Sequence, residues 1–375
     1  MRRPAAALGA LMVLGPLTGG LFAATPAQPT AATQRASGPA RTAVTLYGAG
    51  ANAIDPFYEA VFYAYHRANA EVTVNYDPAG SSVGIKAIQQ RTVDFGDTEI
   101  PMSRSDLARA KGTVLQFPVD LGGVAVSYNI PGVRGGLRLD GPTLAAIFTG
   151  RVTNWDSPVI AAVSGRHDLP HLAIVPVHRA DSSGPAWDLD AYLLQTAPGW
   201  ARTAGGTVPS KTWPVTGVGI GEQLNSGVAT YVAQTPGAIG YVEYGYALKA
   251  RFTNVALKNK AGAFVAPGTA AIAAAGAGAT GLSSGKFSIV NGAGARTYPL
   301  ANFSWALLYK RQASTSKGQA LKSLFEYVVT TGQTQAVPLG YARLPANAVR
   351  LARSTLARLQ GPSGRVLPSL SGPVV

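Results

Sequence analysis

Three junctions in this chain follow one grammar. GAGANAIDP (48–56), AGSSVGIK (79–86) and ADSSGPAW (180–187) each join a strand-like run to a helix-like run through small residues. AVTLYG precedes the first, EVTVNYD with Val72, Val74 and Tyr76 in alternation precedes the second, and HLAIVPVHR precedes the third. Behind the first, Phe57, Val61, Ala64 and Tyr65 recur at helical spacing. Strand, small-residue turn and helix in repetition confine the chain to α/β folds with an open, largely parallel sheet. Each junction also has a chemical meaning. A helix start offers N–H groups without intrahelical acceptors and about half a positive charge, glycine lets a guest approach the backbone, and serine adds a hydroxyl. At the third junction Arg179 stands beside Ser182 and Ser183, which are good N-cap residues, and Pro185 suits a first helical turn. The pattern alone leaves two readings open: ordinary capping at three helices, or three walls of one anion site.

The rest of the chain continues the alternation. DGPTLAAIF predicts a helix from about Pro142, GAIGYVEY and YPLANFSWALLYKR predict strands, and the Ala/Gly-rich stretch near 261–282 predicts partial helix. KGQALKSLFEYVVTTGQ predicts an amphipathic helix through Leu321, Leu324, Phe325 and Val328, stopped by Gly332. With 375 residues, 47% of them hydrophobic, there is enough chain for two lobes with their own cores. The net charge of +14 comes from 32 Lys and Arg against 18 Asp and Glu, but the cations are scattered. Such a charge suits nucleic acid, an anionic membrane or a small anion and by itself decides none of these, though no basic run resembles a nucleic-acid arm.

The first 27 residues have the order of a secretory signal: Arg2 and Arg3, an apolar stretch broken by Gly and Pro, then small residues near Ala24 to Ala27. Residues 28–43 are rich in Pro, Ala and Thr and read as a flexible leader, and the last fifteen residues as a loose tail. There is no cysteine, hence no disulfide, lipid-bearing cysteine or thiolate metal site. The expectation is export, without a lipid anchor.

Two catalytic or metal readings also fit fragments. GSSVG at 80–84 matches G-x-S-x-G, the nucleophile elbow, with Ser82 as nucleophile. That chemistry calls for a histidine base, usually late in the chain, whereas the four histidines are His66, His167, His171 and His178. His167 and His171 stand four apart, but in SGRHDLPH, a proline-containing loop ill suited to ligation from one helix face. The expectation is no enzyme, no cofactor and no metal.

A resemblance narrows the choice. GAGA (48–51), AGSSVG (79–84), VDFGDTEIPMS (93–103), FPVDLGGVAVSYNIPG (117–132), LAAIFTGRVTNWDS, VHRADSSG, WPVTGVG, TPGAIGYVEYGYA and YPLANFSWALL occur in order. They resemble the signatures of the phosphate-binding proteins of bacterial ABC-type phosphate uptake systems, over roughly Val44 to Arg350. The resemblance implies a monomeric, two-lobed periplasmic binding protein fold of type II that delivers inorganic phosphate to a membrane permease. One lobe would comprise 44–123 and 244–360 and the other 124–243, with chain crossings near Gly122–Val124 and Tyr241–Tyr244. By position it implies an anion held by the turn Ala51–Asn52–Ala53, by Ser81, by Arg179, and by Ser183, Gly184 and Pro185. Asp181 would brace the arginine fork, and Ser82 and Ser182 would support. Glu99 would accept the proton of hydrogen phosphate, which sulfate lacks; Asp97 is its rival.

Four positions depart from the pattern. Asn52 and Ala53 replace the usual Thr-Phe, and Glu99 replaces a shorter Asp. Pro185 replaces a Thr and so removes a hydroxyl and an N–H together. A hydrogen bond to a charged group is worth about 1.5–3 kcal/mol, so the expectation is phosphate with reduced affinity, or a related oxyanion such as arsenate or phosphite.

Overall fold

The computed structural model describes residues 43–284 and 288–370. The expected export signal, the leader up to residue 42 and the end of the tail lie outside the described residues. In chain order the elements are β1 (Val44–Gly50), α1 (Asp55–Ala68), β2 (Val72–Asp77), α2 (Ser81–Gln90), β3 (Phe95–Thr98), α3 (Arg104–Ala108) and β4 (Val114–Tyr128). There follow β5 (Arg138–Leu139), α4 (Gly141–Phe148), α5 (Pro158–Ser164), β6 (Val175–Arg179), α6 (Gly184–Thr196), α7 (Trp200–Thr203), β7 (Ile220–Glu222), α8 (Leu224–Gln234) and β8 (Ala238–Glu243). The chain ends with α9 (Tyr244–Lys249), β9 (Thr253–Asn254), β10 (Ala256–Lys258), β11 (Phe264–Val265), α10 (Thr269–Ala277), β12 (Ala301–Tyr309), α11 (Thr315–Val328) and α12 (Ala346–Leu356).

The main sheet runs β2-β1-β3-β12-β4-β8-β6-β7, with β9 also paired to β4. β1, β2 and β3 are parallel neighbours, as are β8, β6 and β7, so each flank is the strand–turn–helix repeat read in the sequence. The centre is antiparallel: β12 against β3 and β4, and β8 against β4. β4 is the joint. Up to Gly123 it pairs with β12, and from Val124 onward it pairs with β8. Its side chains are nearly all buried on both faces, which explains a run of apolar residues too continuous for a surface strand. At the change of partner the carboxylate of Glu243, the last residue of β8, accepts the N–H of Gly123 at 2.7 Å.

The helices form for legible reasons. α4 is capped by Asp140, whose carboxylate accepts from Thr143 N at 3.0 Å, with Pro142 in the first turn. α1 starts at Asp55 with Pro56 inside the first turn; its N-cap is Ile54, without a side-chain bond, and Asp55 lies one residue inside. α11 buries Leu321, Leu324, Phe325 and Val328 as expected but ends at Val328, not at Gly332. The chain passes from there into a 3₁₀ turn (Thr331–Gln335), stabilised by Gln333, whose Nε2 donates to Val328 O and Val119 O. The tail was expected to be loose from 361, but residues 361–370 are held. Leu367 is buried, its carbonyl accepts from Lys322 Nζ at 2.7 Å, and Leu370 N donates to Ser323 Oγ at 2.6 Å. One leucine and two α11 side chains outweigh the Pro/Gly/Ser composition there. No helix among the described residues is long and apolar enough to cross a membrane.

Candidate anion site

Two helix starts face each other. On one side, the β1–α1 turn and α2 lie together because Gly80 donates its N–H to Gly50 O at 2.7 Å. Gly80 has φ +111, a conformation that only glycine adopts easily, and it is the N-cap of α2. No side chain caps α2, so its first amides, at Ser81 and Ser82, keep their hydrogens for another acceptor. Ser81 is buried, and its hydroxyl accepts the N–H of Glu99 at 3.3 Å, which leaves its own hydrogen to donate.

On the other side, β6 ends at Arg179 and α6 begins at Gly184. Ser183 caps α6 by accepting Ala186 N at 3.2 Å, and its own N–H goes to Lys211 O at 2.9 Å. Pro185 has no N–H. The donors left at this start are the Gly184 N–H and the Ser183 hydroxyl hydrogen.

Arg179 supplies the charge. Its side chain is only 1% exposed. Nε donates to Asp181 Oδ1 at 2.7 Å and Nη2 donates to Asp181 Oδ2, which fixes the guanidinium fork. Nη1 is buried and has no hydrogen-bond partner among the described residues. Burial would raise the Asp181 carboxyl, but the hydrogen bonds and charge of Arg179 outweigh it and hold the acid below its ordinary range. Leu224, at φ +58, turns its N–H onto Asp181 Oδ1 at 3.1 Å, a third restraint on the pair.

The two sides touch. Ser82 Oγ and Ser182 Oγ are 2.6 Å apart. A Cβ on Gly184 would stand 2.3 Å from Glu99 Oε2, so the carboxylate lies directly against the start of α6, and only glycine fits there. Asn225 donates N and Nδ2 to Asn52 Oδ1 at 3.0 and 3.2 Å, and Asn52 Nδ2 donates to Tyr246 OH at 3.0 Å. Lys211 Nζ is 3.3 Å from Asp106.

The expected site residues therefore fall into two groups. Ser81, Glu99, Arg179, Ser183 and Gly184 come together, with Asp181 behind the arginine and the Ser82–Ser182 pair at the rim. Ala51, Asn52 and Ala53 lie close by, but the Ala51 N–H is taken by Asp97 O at 3.2 Å. The Asn52 side chain, expected to donate to the anion, bridges Asn225 and Tyr246. Between the rival acids, Asp97 accepts from Tyr58 OH at 2.9 Å, and Glu99 is the one lying against Gly184. Ser82 shares its hydrogen bond with a serine rather than a histidine. His171 pairs with Asp156 at 2.8 Å, and no group of His, Cys, Asp or Glu suited to a metal occurs among the described residues.

Comparison with known proteins gives this geometry its family. Residues 25–331 match the model of the PBP superfamily domain. The phosphate-binding protein PstS of Xylella fastidiosa (strain Temecula1) is 36% identical over 312 residues, covering 82% of this chain and 83% of the relative. PstS of Pasteurella multocida (strain Pm70) is 34% identical, covering 82% and 88%. The chain belongs to the PstS family of phosphate-binding proteins.

Solved structures agree on the fold of this PstS-family chain. A phosphate-binding protein from Stenotrophomonas maltophilia matches with a TM-score of 0.64 at 18% identity, over 83% of this chain and 94% of the other. A high-affinity periplasmic phosphate-binding protein, PfluDING, solved with phosphate, matches at 0.65 and 18%, over 83% and 93%.

Several polar residues around this PstS-family site escaped the sequence reading. Asn302 on β12 donates Nδ2 to Glu99 Oε1 at 3.0 Å and to Asp188 Oδ2 on α6 at 2.6 Å. Asp120 on β4 accepts Ser304 N at 3.1 Å. Asp120, Asp188 and Glu243 are buried, and burial pushes Asp120 up to about 7 and Asp188 up to about 8. Glu99 and Glu243 are also raised well above the usual range, first by burial, then by the neighbouring acids. The available signal was a polar residue inside an apolar run: Asp188 in PAWDLDAYLL, Asn302 in PLANFSWALL and Asp120 in FPVDLGGVAV.

Proposed function

We propose that this protein captures inorganic phosphate between its two lobes and delivers it to an ABC-type permease. The observation that carries the reading is Arg179 Nη1: a buried cationic donor without a protein acceptor among the described residues, set between two helix starts. A tetrahedral oxyanion would accept from Nη1 and the Gly184 N–H on one side, and from Ser81 and the first amides of α2 on the other. The Asn52 and Ala53 amides would complete the first side, and Glu99 would meet the face of the anion that carries a proton. The lobes would be 44–123 with 244–360 and 124–243, opening about the place where β4 changes partner. The ligand undergoes no chemistry. The charged and then apolar first 27 residues support export to the periplasm, with the protein acting as a monomer.

Titration calorimetry with phosphate, sulfate, arsenate and phosphite tests the reading. Phosphate should bind, with arsenate and phosphite as its nearest competitors, since Pro185 loosens the fit. Sulfate binding without a phosphate response overturns it.

A further inference from the structure

The cations of this chain form no run, but its charge balance is uneven. Residues 1–243 hold 17 Lys and Arg against 17 Asp and Glu, whereas residues 244–375 hold 15 against 1. A general bias toward basic residues would tilt both parts; the whole excess is confined to the second. Its densest stretch is α12 and the segment after it. Two stripes divide this helix. Ala348, Ala352, Thr355 and Leu356 are buried, where α12 packs on β4 and α11. Arg350, Arg353, Ser354, Ala357 and Arg358 recur at i, i+3, i+4, i+7 and i+8, and all are exposed. Arg343 is exposed just before the helix. Beyond its end, Gln360 N donates to Lys310 O at 2.8 Å and Gly361 N to Arg365 O at 2.9 Å, which brings Arg311 and Arg365, both exposed, to the same end of α12. Among the described residues none of these six arginines forms an ion pair. Glu326, the one acid of residues 244–375, accepts from Ser369 Oγ.

We propose that the outer face of α12, from Arg343 to Arg365, is a docking surface for an anionic phospholipid bilayer. Helix electrostatics explain only part of the arrangement. Cations near a helix C-terminus are favoured, which covers Arg353 and Arg358. Arg350 lies in the second turn and Arg343 outside the helix, beyond the reach of that effect. Like charges three apart weaken a helix, so the stripe does nothing for the fold of α12. It does suit a layer of phosphodiesters. A guanidinium fork matches phosphate oxygens, and the negative potential of an anionic bilayer draws basic side chains that come within a Debye length. An acidic protein would satisfy the same charges, but a protein interface centres on apolar and aromatic anchors. Between Arg343 and Arg365 no large apolar side chain is exposed among the described residues. A bilayer needs no such anchor, because its headgroups can gather under the cations. The chain has no cysteine to carry a lipid, and this face would hold it at a membrane reversibly. The inference stands apart from the phosphate reading and uses none of the residues of that site.

The experiment is co-sedimentation of the whole protein with vesicles of phosphatidylethanolamine and phosphatidylglycerol, and with vesicles of phosphatidylcholine, which carry no net charge. Binding is expected to the first and not to the second. It should be lost at about 1 M salt, where the Debye length is about 3 Å. One basic residue at an anionic surface is worth about fivefold in affinity. Arg350→Gln, Arg353→Gln and Arg358→Gln together should therefore weaken vesicle binding about a hundredfold, with phosphate affinity and thermal unfolding unchanged. Arg67→Gln, Arg151→Gln and Arg202→Gln together remove the same charge from exposed positions elsewhere, and should change vesicle binding less than about twofold. If the α12 triple variant does not fold, Arg353→Gln alone is read, with about a fivefold loss expected. Equal losses in the two triple variants overturn the proposal, as do vesicle binding unaltered by the α12 substitutions and binding that survives the high salt. Failure to bind the anionic vesicles also overturns it; retention on immobilised polyglutamate, lost in the α12 variant, then assigns the face to an acidic protein. Phosphate calorimetry is read separately, so either proposal can fail while the other holds.

Discussion

The starts of α2 and α6 look alike in sequence, AGSSVG against ADSSGP, yet they are built differently. At α2 the cap is a glycine, no side chain closes the helix end, and the first amides stay free. At α6 the serine closes its own helix, its N–H is taken by Lys211 O, and Pro185, two residues on, has no N–H to offer. In the proposed site the first start would bind with backbone dipoles. The second keeps few amides and would rely on a full charge, Arg179, braced by Asp181. One lesson is that a Ser-Ser-Gly motif beside a helix does not reveal how many donors it offers; the residue that follows, and what else the serine holds, decide that.

The hardest blow to the comparison comes from Arg179→Ala. If charge carries the α6 side, phosphate affinity should fall by about a hundredfold or more, since bonds to charged groups are worth about 1.5–3 kcal/mol each and 1.4 kcal/mol is tenfold. Asp181 would be left half-buried without its partner, so the unfolding midpoint in urea should fall as well. Ser81→Ala removes one hydroxyl from the α2 side. We expect about a tenfold loss in affinity by calorimetry, and a modest fall in Tm because the buried Glu99 N–H loses Ser81 Oγ as its acceptor. If Ser81→Ala costs more than Arg179→Ala, the division of labour is reversed.

Pro185→Thr returns a hydroxyl and an N–H to the poorer start. Affinity should rise, by up to about tenfold, after the loss of the proline's preset backbone angle is deducted. An unchanged affinity would mean that the position does not face the anion. The mildest test is stability against pH. Asp120 and Asp188 are raised to about 7 and about 8, so the folded chain holds protons that the unfolded chain releases near pH 4. Their contribution is full below the unfolded value and is lost as the pH rises through 7 and 8. Asp181 and Asp106 are lowered and act in the opposite sense, losing their contribution only on the acid side of about pH 4. The urea midpoint should therefore be higher at pH 5 than at pH 8.5, and Asp188→Asn should flatten the difference.

Much of this was legible in the sequence because it is written in short-range patterns. The three junctions, the Ser183 cap, the helix from about Pro142 and the apolar face of α11 follow from spacing and turn chemistry. The order of motifs brought Ser81, Glu99, Arg179 and Gly184 onto one page. What the sequence hid was long-range. Nothing near Asn52 says that Asn225, 173 residues later, takes its side chain. Nothing near Glu99 says that Asn302 ties it to Asp188. The held segment after 361 was lost for the same reason: a polar tail looks like a loose end until side chains of α11 take its backbone groups. The helix end at Val328 is local instead, since Gln333, five residues on, takes the Val328 carbonyl.

β4 has a mechanical consequence. It is one unbroken strand that changes neighbours at a single peptide, between Gly123 and Val124. With about 3.3 Å per residue, the arm on the Val114 side is roughly 30 Å long, so a tilt of about 10° at that peptide swings its far end by roughly 5 Å. If the proposed lobes open there, a small twist at the joint would be levered into a wide gape at the periphery, and a surface far from the proposed anion site could sense whether the jaws are shut.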